Sequence, residues 1–194
     1  MKGEVAPPAD YAARRVRVHQ VGDRVLVWQA HGPELARDCL ALGRLGGPRW
    51  SLTRHTRFRL SLPSLLARTE RGAKPGREHT LGVWLPRKEL VSLLRQAVHN
   101  CCEMAVYGSL KSWRLASRWS QVSIEWHHDV DLAGAATGWA TPRIRVRQQA
   151  LVAFTDGVAG LEDWTERVRA GETPPPLTEL ELPAELAARL SGEG

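Results

Sequence analysis

The sequence is poor in the features that announce several large classes of protein. It has three cysteines, Cys39, Cys101 and Cys102. An odd count with two adjacent members argues against the paired framework of a small secreted domain. No apolar run approaches the roughly 20 residues that a membrane-crossing helix needs, and the stretch from Met1 to Asp10 lacks the apolar centre of a secretion signal. Together these point to a reducing, cytoplasmic setting. Gly-x-Gly-x-x-Gly, a Walker A loop and Gly-x-Ser-x-Gly are all missing, so Rossmann, P-loop and nucleophile-elbow readings have no support. There is no internal repeat and no low-complexity tract.

Tryptophan and unevenly spread charge are what the chain does have. Eight tryptophans stand beside only two Phe and two Tyr. A tryptophan buries a large apolar area, so most are expected as core anchors. The formal net charge is +6 over 194 residues. Ala41–Ser120 holds 15 Lys and Arg against 4 Glu and no Asp, whereas Leu151–Gly194 holds 9 acids against 3 Arg. A basic centre of this kind suggests a phosphate-bearing partner, either a nucleotide or dinucleotide or a nucleic acid. An acidic tail lying over a basic face is the plainer explanation.

Periodicity divides the chain into strands and helices. Arg15-Val16-Arg17-Val18 alternates like a strand, Val21-Gly22-Asp23 turns, and Arg24–Gln29 reads as the return strand. Gly32-Pro33 opens a helix whose apolar stripe includes Leu35, Cys39 and Leu42, and Gly43 stops it. Thr56–Leu60 is a short strand, and Ser61 is placed to cap a helix over 62–71. A basic loop follows from Gly72 to Arg77. Thr80–Leu85 is a strand and Arg87–His99 an amphipathic helix. The stretch from Cys101 to Trp113 reads as irregular. Arg118–Trp126 and Arg143–Arg147 alternate as strands, and 161–169 and 183–190 read as helices. The expected organisation is a flexible lead-in over 1–12 and a single α+β domain over 13–170. A proline-rich linker and acidic tail with a short helix complete it over 171–194. The fold expected is a bent, mostly antiparallel sheet of five or six short strands with three or four helices.

Several residues could carry chemistry. Gln29 and His31 end a strand just before a helix N-terminus, where a phosphate can be received. Arg57 and Arg59 share one strand face, and Ser61, Lys74 and Arg77 follow, so the five could form a phosphate-binding surface. Glu125 stands opposite Ile124 and Trp126, either as an acid/base group beside a basic groove or as a cross-strand partner for an arginine such as Arg145. No metal site is expected: in His127-His128-Asp129-Val130-Asp131 adjacent side chains diverge, and His99, Cys101, Cys102 and Glu103 have no ligand spacing. Trp113 and Trp119 interleave with Lys111, Arg114 and Arg118, a pattern that suits either base stacking or core packing.

The ordered set of segments resembles a known family, domain of unknown function 4291. Its Val-Tyr-Gln-Ala-Tyr strand end is matched by Val27-Trp28-Gln29-Ala30-His31, and its Thr-Trp-Ile-Lys-Pro-Ser-Phe by Thr56-Arg57-Phe58-Arg59-Leu60-Ser61-Leu62. Lys74-Pro75-Gly76-Arg77-Glu78, Leu81-Gly82-Val83, Ile124-Glu125-Trp126 with Asp131, and Ile144-Arg145-Val146 continue the match. It spans roughly residues 14–170. The family's Lys-Pro is Arg59-Leu60 here, and its second Gln is Arg145, which makes this a divergent member. The order of Gln29 or His31, Ser61 and Glu125 is also similar to the ADP-ribosyltransferase superfamily. That similarity implies an enzyme binding NAD in a basic cleft, with Gln29 or His31 orienting the ribose, Arg59 holding phosphate and Glu125 stabilising positive charge at the ribose. The alternatives are a non-catalytic nucleic-acid-binding protein and a degenerate member acting as a partner-binding subunit.

Overall fold

The computed structural model describes residues 13–193, and the lead-in expected over 1–12 lies outside them. The chain runs β1 (Arg17–Val21), β2 (Arg24–His31), α1 (Pro33–Leu42), β3 (His55–Arg59), α2 (Leu62–Thr69), β4 (His79–Pro86), α3 (Arg87–Gln96), β5 (Ala97–His99), α4 (Met104–Tyr107), α5 (Leu110–Trp119), β6 (Val122–Val130), β7 (Ala136–Arg147), α6 (Gln148–Asp156), β8 (Gly160–Asp163), α7 (Thr165–Arg169), β9 (Leu177–Glu179) and α8 (Ala184–Ser191). The mixed α/β architecture agrees with the sequence, but the nine strands and eight helices among the described residues are more than expected. The strands form one curled, open sheet in the order β5-β6-β7-β3-β2-β1-β9, with β4 on β2 and β8 on β4. All pairs are antiparallel except β5–β6.

The extra elements have physical causes. β5, β8 and β9 are only three or four residues long, too short for a period of two to show. α5 buries no residue, but Ser109 caps it by accepting Ser112 N–H at 3.0 Å, a start signal that the sequence does carry. α6 starts at Gln148 with φ of 53° and has no side-chain cap, so no start signal is written in the sequence.

β2 is the centre of the molecule, with every residue after Arg24 buried. Val25 and Val27 belong to the larger core, packed with α1, α3, α6 and α8 through Ala36, Leu94, Phe154 and Leu190. Leu26, Trp28 and Ala30 belong to a smaller core on the opposite face, with Leu62, Leu65, Leu66 and Trp164. Alternation vanishes from the β2 sequence because both faces are covered. Phe58 of β3 stacks on Phe154 of α6 with ring centroids 4.8 Å apart.

The segment beyond residue 170 adds structure to this core. β9 pairs with β1, and Leu180, Leu186 and Leu190 are buried. Leu190 O accepts Trp126 Nε1–H at 2.9 Å, and Arg189 donates to Ala97 O and Leu94 O at the end of α3. Tryptophan is less buried than its abundance implies. Trp28, Trp126 and Trp164 are buried, Trp119 is 71% exposed, and the other four are half-buried.

Trp164 lies on β4 where a side chain is missing. A Cβ on Gly82 would meet Trp164 Cδ1 and Nε1 at 3.0 Å and Leu26 Cδ1 at 3.1 Å. Gly82→Ala should therefore overpack the smaller core and cost about 1–3 kcal/mol in denaturant unfolding. An unchanged midpoint would show that Trp164 is not held against β4.

Candidate functional site

Strand register builds a charged surface on the β2 face that carries Trp28. Arg59 pairs with both Trp28 and Arg143, Arg57 with Arg145, and Glu125 with Arg143. Period-two alternation sends Phe58, Ile124, Ile144 and Val146 to the larger core, and so turns Arg57, Arg59, Glu125, His127, Arg143 and Arg145 to the other side. Beside this face α2 brings Leu65, Arg68 and Thr69, and the loop after it brings Lys74 and Arg77. They enclose a cavity of about 210 Å³ with Trp28, Ala30, Arg57, Arg59 and Arg143.

Arg59 distinguishes this cavity from an ordinary solvated basic face. It is 4% exposed, and its Nη1 donates to Ser64 Oγ at 2.8 Å. Among the described residues no carboxylate lies within salt-bridge distance of it. Burial first, then Arg143 and Arg68, lower its pKa to about 10, with Glu125 and Asp129 acting in the opposite direction. It stays protonated at neutral pH, as a charge taken from water without an ion-pair partner. The side chains of Arg57, Arg68 and Lys74 are exposed and make neither hydrogen bond nor salt bridge among the described residues. Arg77 Nη1 donates to Ala30 O at 2.7 Å.

Glu125 is the acid of this face. It forms an ion pair with Arg143, the residue directly opposite in register, rather than with Arg145, which donates to Ser123 Oγ at 3.1 Å. His127 Nε2 lies 3.3 Å from Glu125 Oε1. Burial, with Arg59 next, lowers the His127 pKa to about 4, so the imidazole is neutral at pH 7.

The other sequence candidates are placed differently. Ser61 is fully buried, caps α2 by accepting Ser64 N–H at 3.3 Å, and donates to buried Asp129 at 2.7 Å. Both its lone-pair and proton positions are used inside the fold. Gln29 and His31 lie on the opposite face of β2. Gln29 Nε2 donates to Thr56 Oγ1 and Arg57 O, and its Oε1 is 3.2 Å from His31 Nε2. His31 lines a second cavity on that side. The structure thus brings Arg57, Arg59, Lys74, Arg77 and Glu125 to one face and sets Gln29 and His31 across the sheet. Sequence reasoning missed Arg68 and Arg143. The alternation of Arg143, Arg145 and Arg147 was the available signal, but register alone selects which arginine meets Glu125.

Neither metal-like cluster converges. Among the described residues no group of three or more His, Cys, Asp or Glu side chains is placed to hold one ion. His99 is spent on Tyr107 and Leu190 O, and Glu103 pairs with Arg14 at 2.7 Å. Burial and Glu103 push the Cys101 thiol up, which opposes a nucleophilic role. Trp113 Nε1 donates to His99 O, whereas Trp119 is exposed beneath Arg118. Among the described residues no helix is long and apolar enough to cross a membrane.

Three histidines should make folding sensitive to acid. Burial lowers His19, His31 and His127 to about 4 against an ordinary 6.5. Below pH 6.5 the unfolded chain binds protons that the folded chain refuses, so stability falls as pH drops from about 6.5 toward 4. The melting temperature should decline across that window, and His31→Gln should flatten the decline. A flat profile would contradict the buried, neutral state of these rings.

No curated protein matches the chain. A family model, that of a domain of unknown function (DUF4291), matches residues 15–181. That match covers the charged face, the cavity and the C-terminal strand β9 at the edge of the sheet, and the chain belongs to this family.

Proposed function

We propose that the Arg59 cavity binds the phosphates of a nucleotide-type ligand. The observation that carries this reading is Arg59 itself, a buried guanidinium with a single hydroxyl partner. Around it stand Arg57, Arg68, Lys74, Arg77 and Arg143. A buried, underpaired charge is costly unless something compensates it. A phosphate supplies that compensation, and Arg binds it through two parallel hydrogen bonds. Where the family pattern has Lys-Pro, this chain has Arg59-Leu60, so the divergence keeps the positive charge.

The reaction class proposed for this cavity is ADP-ribosyl transfer from NAD. Its support is Glu125, a carboxylate on the same sheet face as Arg57 and Arg59 and joined to Arg143. A carboxylate there can stabilise positive charge developing on a ribose, with Arg59 holding the adjoining phosphate. A second reading, single-stranded nucleic-acid binding, is favoured by a different observation. Trp119 is 71% exposed with Arg118 over its ring at 5.3 Å, which suits base stacking. Binding of short single strands that weakens steeply with salt and is lost in Trp119→Ala, with Glu125→Gln indifferent, would place function on α5 instead.

The test is a paired variant. Arg59→Met removes the buried charge and keeps the side-chain bulk. The ligand-free protein should melt at the same temperature or higher, because replacing a buried charge by an apolar group of similar volume is often neutral or stabilising. The same variant should lose the thermal stabilisation that pyrophosphate or NAD gives the unaltered protein. A large loss of stability together with an undiminished ligand shift would show that Arg59 is a structural residue. Glu125→Gln should keep that shift and lose NAD turnover.

A further inference from the structure

β2 and β3 are hydrogen-bonded neighbours at one pair only, Trp28 opposite Arg59. Beyond it the strands part. Side chains occupy the gap: Gln29 Nε2 donates to Arg57 O at 3.1 Å, and Arg77 Nη1 takes Ala30 O at 2.7 Å. On the far side of this opening lies the second cavity, of about 430 Å³. Arg57 and Arg77 line both cavities. The two spaces therefore share two cationic wall residues, and among the described residues only Gln29 and Arg77 bond across the gap between them, with no strand ladder.

The second cavity has a different chemistry from the first. Its walls include Trp50, His31, His55 and Arg54. Trp50 is half-buried, and its ring lies edge-on to His31 at 6.0 Å. His31 is held neutral, because burial first and Arg77 second lower its pKa to about 4. The loop that carries Trp50 is anchored. Arg49 pairs with Glu34 at 2.9 Å and Asp38 at 3.0 Å. Gly47, at φ of 95°, lies so close to Asp38 that a Cβ would come within 2.9 Å. An anchored aromatic wall, a neutral imidazole and flanking arginines suit a planar heteroaromatic ring with anionic groups attached.

We infer that the Trp50 cavity is the base pocket of the ligand whose phosphates occupy the Arg59 cavity, and that the group recognised is a nucleoside diphosphate, free or as the ADP half of NAD. The base rests against Trp50, and the phosphates pass Arg57 and Arg77 to reach Arg59. This rests on the phosphate-binding reading and adds to it a second half of the site, on the other face of the sheet. It also gives His31 a place in ligand binding, as a wall of the base pocket.

The inference is tested by titrating pyrophosphate and ADP separately, by calorimetry, into the unaltered protein, Trp50→Leu, Trp50→Phe and Arg59→Met, with thermal melts to verify folding. ADP should bind the unaltered protein more tightly than pyrophosphate. Trp50→Leu should weaken ADP by roughly ten- to a hundredfold, the range expected for one lost base–aromatic stack. It should leave pyrophosphate unchanged, and Trp50→Phe should restore most of the ADP affinity. Arg59→Met should weaken both ligands. If ADP binds no more tightly than pyrophosphate, or is indifferent to Trp50→Leu while both ligands need Arg59, the base pocket is wrong and the phosphate cleft stands. If neither ligand binds the unaltered protein, or pyrophosphate binding ignores Arg59→Met, the phosphate cleft is wrong and the inference falls with it.

Discussion

One strand pairing holds the candidate site together. Trp28 opposite Arg59 is the only paired position between β2 and β3, and it joins β5-β6-β7-β3 to β2 and its neighbours. Its two side chains set the site's opposing characters. Trp28, fully buried, meets Trp164 edge-on at 5.1 Å and forms the apolar floor. Arg59 supplies the buried charge. Because β2 is covered on both faces, the sheet can curl around this point and open beyond it. The opening is where Gln29, Arg57 and Arg77 gather.

The electrostatics follow from the same register. A sheet whose apolar face is fixed by Phe58, Ile124, Ile144 and Val146 must turn the intervening residues the other way. In this chain they are four arginines, one glutamate and one histidine. Glu125 neutralises Arg143, but Arg59 faces Arg143 and Arg68 with only a serine hydroxyl in hydrogen-bond contact. Natural folds rarely retain such a charge without use. The fold tolerates it because the two cores on either side of β2 supply the packing. The C-terminal segment adds to this, since β9 and α8 bury Leu180, Leu186 and Leu190.

Much of the fold was legible because local chemistry and tertiary demand agree. α1 begins at Pro33 and ends before Gly43 at φ of 64°, as its punctuation says. Ser61 caps α2 through Ser64 N–H, also as written. Where the two disagree the sequence misleads. The residue that caps α2 was also an attractive ligand contact, but its bond to Asp129 takes it out of the cavity. α6 has no side-chain cap to announce it, whereas α5 carries a readable one in Ser109. Of the site, Arg57, Arg59, Lys74, Arg77 and Glu125 could be named from alternation and charge. Arg68 and Arg143 could not, because strand register and helix placement select them. Gln29 and His31 were read on the same side as Glu125. Neighbours on a strand alternate faces, and both fall on the face opposite Trp28.

The central claim is that the cavity around Arg59 is built for a phosphate-sized oxyanion. The most direct measurement is to soak crystals of the protein with tungstate, a heavy phosphate mimic, and locate it by anomalous diffraction. The account predicts tungstate in the cavity, within hydrogen-bond distance of the Arg59 guanidinium and among Arg57, Arg68 and Arg143. Tungstate found only at exposed arginines elsewhere, such as Arg95 on α3, with the Arg59 cavity holding none, would contradict it.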